Sequence, residues 1–486
     1  VNTGFPAASR SFPFDRRAFG LAAAFLVSLS LGTSAQAQRP QPEGPTGLAA
    51  PRATVLADKH MVSAANPIAA DVGRQILRQG GSAVDAAIAM QMVLTLVEPQ
   101  SSGIGGGAFL VHYKAETKKI ETYDGRETAP AAARADMFLG ADGKPLSFAK
   151  AAMGGHAVGV PGLVGMLTLA HDDHGRLPWA RLFEPAMRLA TDGFAISPRL
   201  HQLVSDTPQL KEFPGTREYF FDADGNPKAA GARLANPALA ETLRIIANGS
   251  APAFYNGGLA RAMARAVAEN GTPGTLTVDD LKGYKAVKRE PVCGAYRQFR
   301  VCGMGPPSSG GVAVAQILGM LERFDLRQMG ANSPAAIHVL AESERLAFAD
   351  RARYLADSDF EPAPLAKLLD RRYLAQRSKL ISPERSMGRA EPGRFQRAAM
   401  RAPDTTSELP ATTHFSVVDG AGNAVAMTSS IEQAFGSRVF VRGFLLNNHM
   451  TDFALKPRDG DVPNINRIEP GKRPRSSMAP TIVVDR

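Results

Sequence analysis

Residues 412 to 430 read "TTHFSVVDGAGNAVAMTSS". Polar and apolar side chains alternate in the stretch before "DGAGN", the period of two of a half-buried strand, and "AVAMTSS" after it reads as a second strand. A three-residue loop, Gly420-Ala421-Gly422, closes them into a hairpin. That loop sets the register: Asp419 faces Asn423, His414 faces Thr428 and Thr412 faces Ser430. A hydroxyl of the neighbouring strand therefore falls beside Thr412, and Glu432, two residues further on, faces position 410.

Why the first strand opens on Thr-Thr-His has two answers. Threonine is a good strand former, which alone accounts for it. The other answer is chemical. A threonine hydroxyl with only water as base is a poor nucleophile, but an N-terminal threonine carries an α-amine of ordinary pKa about 7.7 to 8.0 that can take the hydroxyl proton. Thr412 would gain that amine only if the bond from Ala411 to Thr412 were cut. The tract from about residue 385 to 411, with "RSMGRAEPGRFQRAAMR" followed by "APDTTSELPA", reads as an exposed mobile segment with room for such a cut.

Upstream, "DRRAFGLAAAFLVSLSLGTSAQAQ" has the basic, apolar and A-x-A order of a signal peptide. Its apolar run falls short of the ~20 residues of a membrane span. Residues 1–37 are expected to be a cleaved signal, with export to the periplasm or medium by either the general or the twin-arginine route, and 38–53 a Pro-rich leader. Ordered structure then starts near residue 54. Asn66-Pro67 opens a helix that Gly80-Gly81 stops. Ser82 with Asp85 forms a capping box for a second helix, "AVDAAIAMQMVLTLVEP", apolar all round and hence a core helix. Ser333-Pro334 opens a long helix with apolar positions at Ile337, Leu340, Ala341, Leu346 and Phe348. The glycines of "SSGIGGGAFLVHY" precede a strand and lack a following Lys-Ser/Thr, which excludes a nucleotide loop. Helices mixed with antiparallel hairpins indicate sheet layers covered by helices.

The net charge of +10 is dispersed among acids, which argues against a nucleic-acid partner or a stable membrane anchor. No metal and no cofactor are called for. The two cysteines, Cys293 and Cys302, face each other if Arg297 and Gln298 form the loop of a hairpin, at a site where Cα atoms lie about 4.5 Å apart. A disulfide fits that spacing and an oxidising compartment; two free thiols are the alternative.

The stretch from Thr412 to Ile431 resembles the start of the small subunit of γ-glutamyltransferases (γ-glutamyltranspeptidases), N-terminal-nucleophile hydrolases made as self-cleaving proenzymes. "MVSAANPIAADVGRQILRQGGSAVDAAIA", "EPQSSGIGGGAFLVHY", "DGRETAP", "GVPG", "GPPSSGG", "LAFADRARYLAD", "LLNNHMTDF" and "KRPRSSMAPTIVV" recur in family order, from about residue 55 to 486. The resemblance implies an αββα sandwich, with residues 54–411 as large subunit and 412–486 as the N-terminal part of a small one. It implies that Thr412 attacks a γ-glutamyl amide such as that of glutathione, and that water or an amino acid or peptide amine resolves the acyl-enzyme. Arg126 and the pair Ser476 and Ser477 match residues that hold the glutamyl α-carboxylate, Asp452 matches the acid that binds the α-amine, and Ser430 supports the nucleophile. A surface role for Arg126 is the alternative. Glu432 stands where many members have Asn, and His449 replaces a Gln or Glu. The shorter tract "ALKPRDGDVPNINRIEPGK" implies a more open pocket.

The family continues past "TIVVDR" with further strands and a Gly-Gly segment that helps to form the oxyanion hole. The resemblance thus leads one to expect a fold truncated at its C-terminus and inactive by itself, unless the glycines of "GIGGGAF" supply the donors. Two other functions compete: a glutaryl or cephalosporin-type acylase of the same fold, and a catalytically silent exported binding protein.

Overall fold

The structure is a computed structural model that describes residues 54–395, 401–404, 406 and 411–485. The expected signal peptide, the leader and much of the 385–411 tract lie outside the described residues. Nine strands build its two main sheets: β1 (Met61–Ala64), β2 (Gly107–Lys114), β3 (Lys119–Gly125), β4 (Val287–Arg289), β5 (Val292–Tyr296), β6 (Phe299–Gly303), β7 (Thr412–Val418), β8 (Ala424–Ser430) and β9 (Thr481–Asp485). Five helices matter to the layers: α1 (Pro67–Arg78), α2 (Ala83–Val97), α3 (Leu163–His174), α4 (Gly310–Leu321) and α5 (Pro334–Tyr354).

The larger sheet has the antiparallel order β1-β7-β8-β2-β3-β4 and the smaller the order β9-β6-β5. Their inner faces meet through Val111, Ile120 and Ala426 on one side and Cys302 and Ile482 on the other. Outside the larger sheet, α2 packs on Phe415, Val417, Val425 and Met427, and α1 and α3 complete the layer. Outside the smaller sheet, α4 lies on β5 and α5 lies on α4. The layers run helix, sheet, sheet, helix, which is the αββα sandwich.

Local chemistry explains these elements. Asn66 Oδ1 accepts from the Ile68 amide at 3.0 Å, with Pro67 in the first turn of α1. Ser82 and Asp85 cap α2 reciprocally at 3.1 and 2.8 Å, and all of α2 is buried. The hairpin of β7 and β8 has the register Thr412 to Ser430 and His414 to Thr428. Asp419 ties its loop by accepting from Ala421 and Asn423 amides, and its other oxygen accepts from the Ala83 amide at the start of α2. The strands β5 and β6 pair Tyr296 with Phe299 and Cys293 with Cys302, and the two sulfurs are bonded across Cα atoms 4.1 Å apart.

The long helix α5 departs from the apolar face read in its sequence. Ile337, Leu340 and Phe348 are exposed and Ala341 is half-buried, whereas Leu346 is buried with Val339, Glu342, Ser343, Asp350 and Arg351. The polar side chains go inside because each is bonded there. Glu342 accepts from Ser386 and the Met387 amide, and Asp350 accepts from Gln316, Tyr373 and the Gly393 amide.

Candidate active site

On β7, Thr413, Phe415 and Val417 turn toward α2 and are buried, while Thr412, His414 and Ser416 occupy the opposite face. There the smaller sheet does not cover them. Thr412 and His414, with the edge of Thr413, border a cleft of about 770 Å³ that is also lined by Thr428 and Ser430 of β8, Glu432, His449, Asp452, Phe348 and Arg351 of α5, and residues 476–479.

Thr412 Oγ1 donates to Ser430 Oγ at 3.3 Å. Ser430 Oγ in turn donates to the carbonyl oxygen of Ala411 at 3.2 Å and accepts from the Glu432 amide at 2.9 Å. One hydroxyl thus touches both the Thr412 oxygen and the carbonyl that precedes Thr412. The glycines of "GIGGG" make this approach feasible from behind: a Cβ on Gly106 would sit 2.1 Å from the Ser430 carbonyl oxygen, and one on Gly105 2.1 Å from that of Leu445. The Gly106 amide is bonded to Gly103, and none of these glycines lines the cleft. Their role here is close backbone packing.

The acids come from two loops. A short helical turn, His449–Asp452, carries Asp452, and Asn447 and Asn448 hold it in place. Asn447 accepts from the Gly159 and His449 amides and donates to the carbonyls of Gly105 and Gly159. Asn448 donates to Glu432, and its own carbonyl side accepts from the Gln433 amide. Burial, reinforced by the charge of Asp452, holds the Glu432 carboxyl well above the usual carboxylate range, although the Asn448 hydrogen bond opposes this. Glu432 also faces buried Arg438, whose guanidinium burial brings down to about 10. His449 Nδ1 is 2.8 Å from Glu127, so this departure from the family is tied to a carboxylate at its back. Burial lowers His414, whose Nδ1 meets Thr428 Oγ1 at 2.8 Å.

Arg126 is fully buried and does not line the cleft. Its guanidinium bonds Asp452 and the carbonyls of Pro474 and Arg475, so it sits behind the acid and beneath the serine loop. This excludes the surface role for Arg126. Ser476 Oγ accepts from the Met478 amide at 3.1 Å and Ser477 Oγ from Arg351 at 2.8 Å. Arg351 is a residue that sequence reading passed over inside "LAFADRARYLAD". Its Nε reaches Ser309 at 2.8 Å, and Ser309 Oγ donates to the Ser476 carbonyl at 2.7 Å, so one guanidinium braces the serine loop from two directions. No local sequence signal marks it. Position 410, which Glu432 was expected to face, lies outside the described residues. Among the described residues, the one group of histidines and carboxylates compact enough for a metal ion lies away from this cleft, at His112, Glu121 and His174.

Comparison with known proteins agrees with this geometry. Residues 69–486 match the Gamma-glutamyltranspeptidase family. The chain is 38% identical over 442 residues to the glutathione hydrolase proenzyme of Escherichia coli (strain K12), covering 88% of this chain and 74% of that protein. Among solved structures, the Helicobacter pylori gamma-glutamyltranspeptidase superposes with a TM-score of 0.67 at 32% identity, over 71% of this chain and 99% of that one. The cephalosporin acylase from Bacillus halodurans superposes with a TM-score of 0.77 at 27% identity, over 91% and 78%. With its αββα layers and the hydroxyl pair at the floor of the cleft, the chain belongs to the gamma-glutamyltranspeptidase family.

Proposed function

We propose that the chain is an exported γ-glutamyltransferase and glutathione hydrolase, made as one precursor that cuts itself between Ala411 and Thr412. The observation that carries this reading is the Ser430 hydroxyl shared between Thr412 Oγ1 and the Ala411 carbonyl. Attack of Thr412 Oγ1 on the Ala411 carbonyl carbon moves the acyl group from nitrogen to oxygen, and the Ser430 hydroxyl stabilises the oxygen that gains charge. Water then hydrolyses the ester, leaving a carboxylate at Ala411 and a free amine on Thr412. In the two-subunit product, residues up to 411 form the large subunit and those from 412 the small one.

That amine is the base for the second reaction. It takes the Thr412 hydroxyl proton as Oγ1 attacks the γ-carbonyl of glutathione or a similar donor, and returns the proton to the departing amine. The γ-glutamyl ester formed is resolved by water or by the amine of an amino acid or peptide. Asp452 and Glu432 suit the donor's cationic α-amine, and an arriving ammonium would favour the ionised form of Glu432. Ser476 and Ser477, with Arg126 behind them, suit its α-carboxylate.

A second reading, a glutaryl or cephalosporin-type acylase, has the structural similarity to a cephalosporin acylase in its favour, along with the fact that Asp452 is already engaged by Arg126. Turnover of γ-glutamyl against glutaryl anilide separates the two, with preference for the γ-glutamyl donor expected. The primary test is N-terminal sequencing of the smaller fragment, which should begin Thr-Thr-His-Phe. A Thr412→Ala chain that still matures at that bond would refute the proposal. A wild-type chain that stays uncut on a denaturing gel would instead indicate a silent binding protein.

A further inference from the structure

At the end of the larger sheet remote from Thr412, three side chains converge that the reaction does not use. His112 of β2 and Glu121 of β3 are directly opposed across the strand pair. His174, the last residue of α3, closes over them. Its Nε2 lies 2.9 Å from Glu121 Oε2, and His112 Nδ1 lies 3.9 Å from the same oxygen. The imidazoles stack with centroids 3.9 Å apart. All three candidate ligand atoms fall within 4.8 Å of one another. Ser430, at the cleft, pairs with Gly107, five positions back along β2, roughly 17 Å away at about 3.3 Å per residue.

Buried polar atoms are ordinarily bonded, yet His112 is only 3% exposed and its Nδ1 has no hydrogen-bond partner, while Nε2 of His174 is held only by Glu121 Oε2. Glu121 is held from its other side, where Oε1 accepts from Lys119 at 2.9 Å, leaving Oε2 turned toward the histidines. We propose that His112, Glu121 and His174 form a binding site for one divalent transition-metal ion of the zinc type. Two imidazoles and one carboxylate are a zinc donor set, and bonds of 2.0 to 2.2 Å at tetrahedral angles place ligand atoms about 3.3 Å apart. The contacts of 2.9 and 3.9 Å lie about half an ångström on either side of that spacing, within reach of small rotations of the half-buried His174 and Glu121. The surrounding charges offset one another: Asp173 and Asp419 add negative potential, while Lys114, Lys119 and Lys288 add positive. A bound ion would fasten the C-terminal end of α3 to β2 and β3, with a fourth position left for water.

The test uses the full chain without a polyhistidine tag, stripped with chelator and titrated with Zn²⁺ by calorimetry and with Co²⁺ by visible absorption. One ion per chain is expected, with the intense Co²⁺ bands of a tetrahedral site and a higher melting temperature in the presence of Zn²⁺. His174→Gln and Glu121→Gln should each weaken binding by roughly 10-fold or more, while melting like the wild type when metal-free. X-ray absorption of the Zn²⁺-loaded wild type should show two imidazole ligands, a readout that holds even if a variant misfolds. Absence of binding by the wild type, a spectrum without imidazole, or one-site binding unchanged in both variants would overturn the proposal.

Discussion

Replacing Ser430 by Ala removes one oxygen that serves three partners, and their separate losses can be worked out. The bond to the Ala411 carbonyl, 3.2 Å long, is the one that strengthens as charge develops on that oxygen. Loss of one such donor typically slows a reaction by ~10² to 10³, about 3 to 4 kcal/mol of barrier. The bond from Thr412, 3.3 Å long, orients the attacking hydroxyl, so its loss adds to the same barrier. The Glu432 amide loses its acceptor in a buried place, which costs about 1 to 3 kcal/mol of stability and leaves most of the fold intact. Freshly purified Ser430→Ala precursor should therefore remain folded by circular dichroism yet be cut at least about a hundredfold more slowly. The assay is a time course on denaturing gels, with N-terminal sequencing of the small fragment. Ser430→Thr, which keeps the hydroxyl, should restore cleavage. Folded Ser430→Ala that matures at the wild-type rate would refute the assignment of Ser430 to the Ala411 carbonyl.

Asp452→Asn should weaken donor binding by about 10- to 100-fold, as expected for a hydrogen bond to a charged group, and cost about 1 to 3 kcal/mol because buried Arg126 loses one carboxylate while keeping Glu127 at 3.5 Å; KM and urea unfolding read the two effects, and an unchanged KM would remove Asp452 from the donor site. The double change Cys293→Ala and Cys302→Ala should lower stability by about 2 to 3 kcal/mol for so short a loop and leave self-cleavage unaltered; two alkylatable thiols in oxidised native protein would contradict the bond. Burial, with His174 second, lowers His112 to about 4 from 6.5, so the unfolded chain binds the proton more readily. Stability should therefore be whole above about pH 6.5 and fall toward pH 4 by about 3 kcal/mol. In chelator, a His112→Gln chain whose urea midpoint falls as steeply between pH 7 and 4.5 as the wild type would place the effect elsewhere.

Much of this fold can be read from local patterns because the constraints are local. A loop of three residues around Ala421 and one of two after Tyr296 leave a single register each, and those registers are present. Ser82 and Asp85 mark the start of α2 for the same reason. Long-range pairing is another matter. Nothing in the neighbourhood of Arg351 announces that it reaches Ser477, 126 positions away, nor does "DGRETAP" disclose that Arg126 bonds an acid 326 positions further on. The apolar pattern of α5 points to the wrong face because burial there follows satisfied polar bonds, with Asp350 and Arg351 inside and Phe348 out. A count of apolar side chains is blind to such compensation.

The two sheets also decide what kind of object the cut chain would be. Strand β7 is bordered by β1, β8 lies against β2, and β9 is paired with β6, so each sheet combines segments from both sides of residue 411. Neither fragment holds a complete sheet. Severing one peptide bond would leave every one of these ladders in place while changing the molecularity of folding: the precursor refolds as a single chain, at a rate independent of dilution, whereas the product must bring two chains together. Recovery of the mature form from denaturant should accordingly depend on protein concentration, and heating it would act as a one-way step for the dilute product.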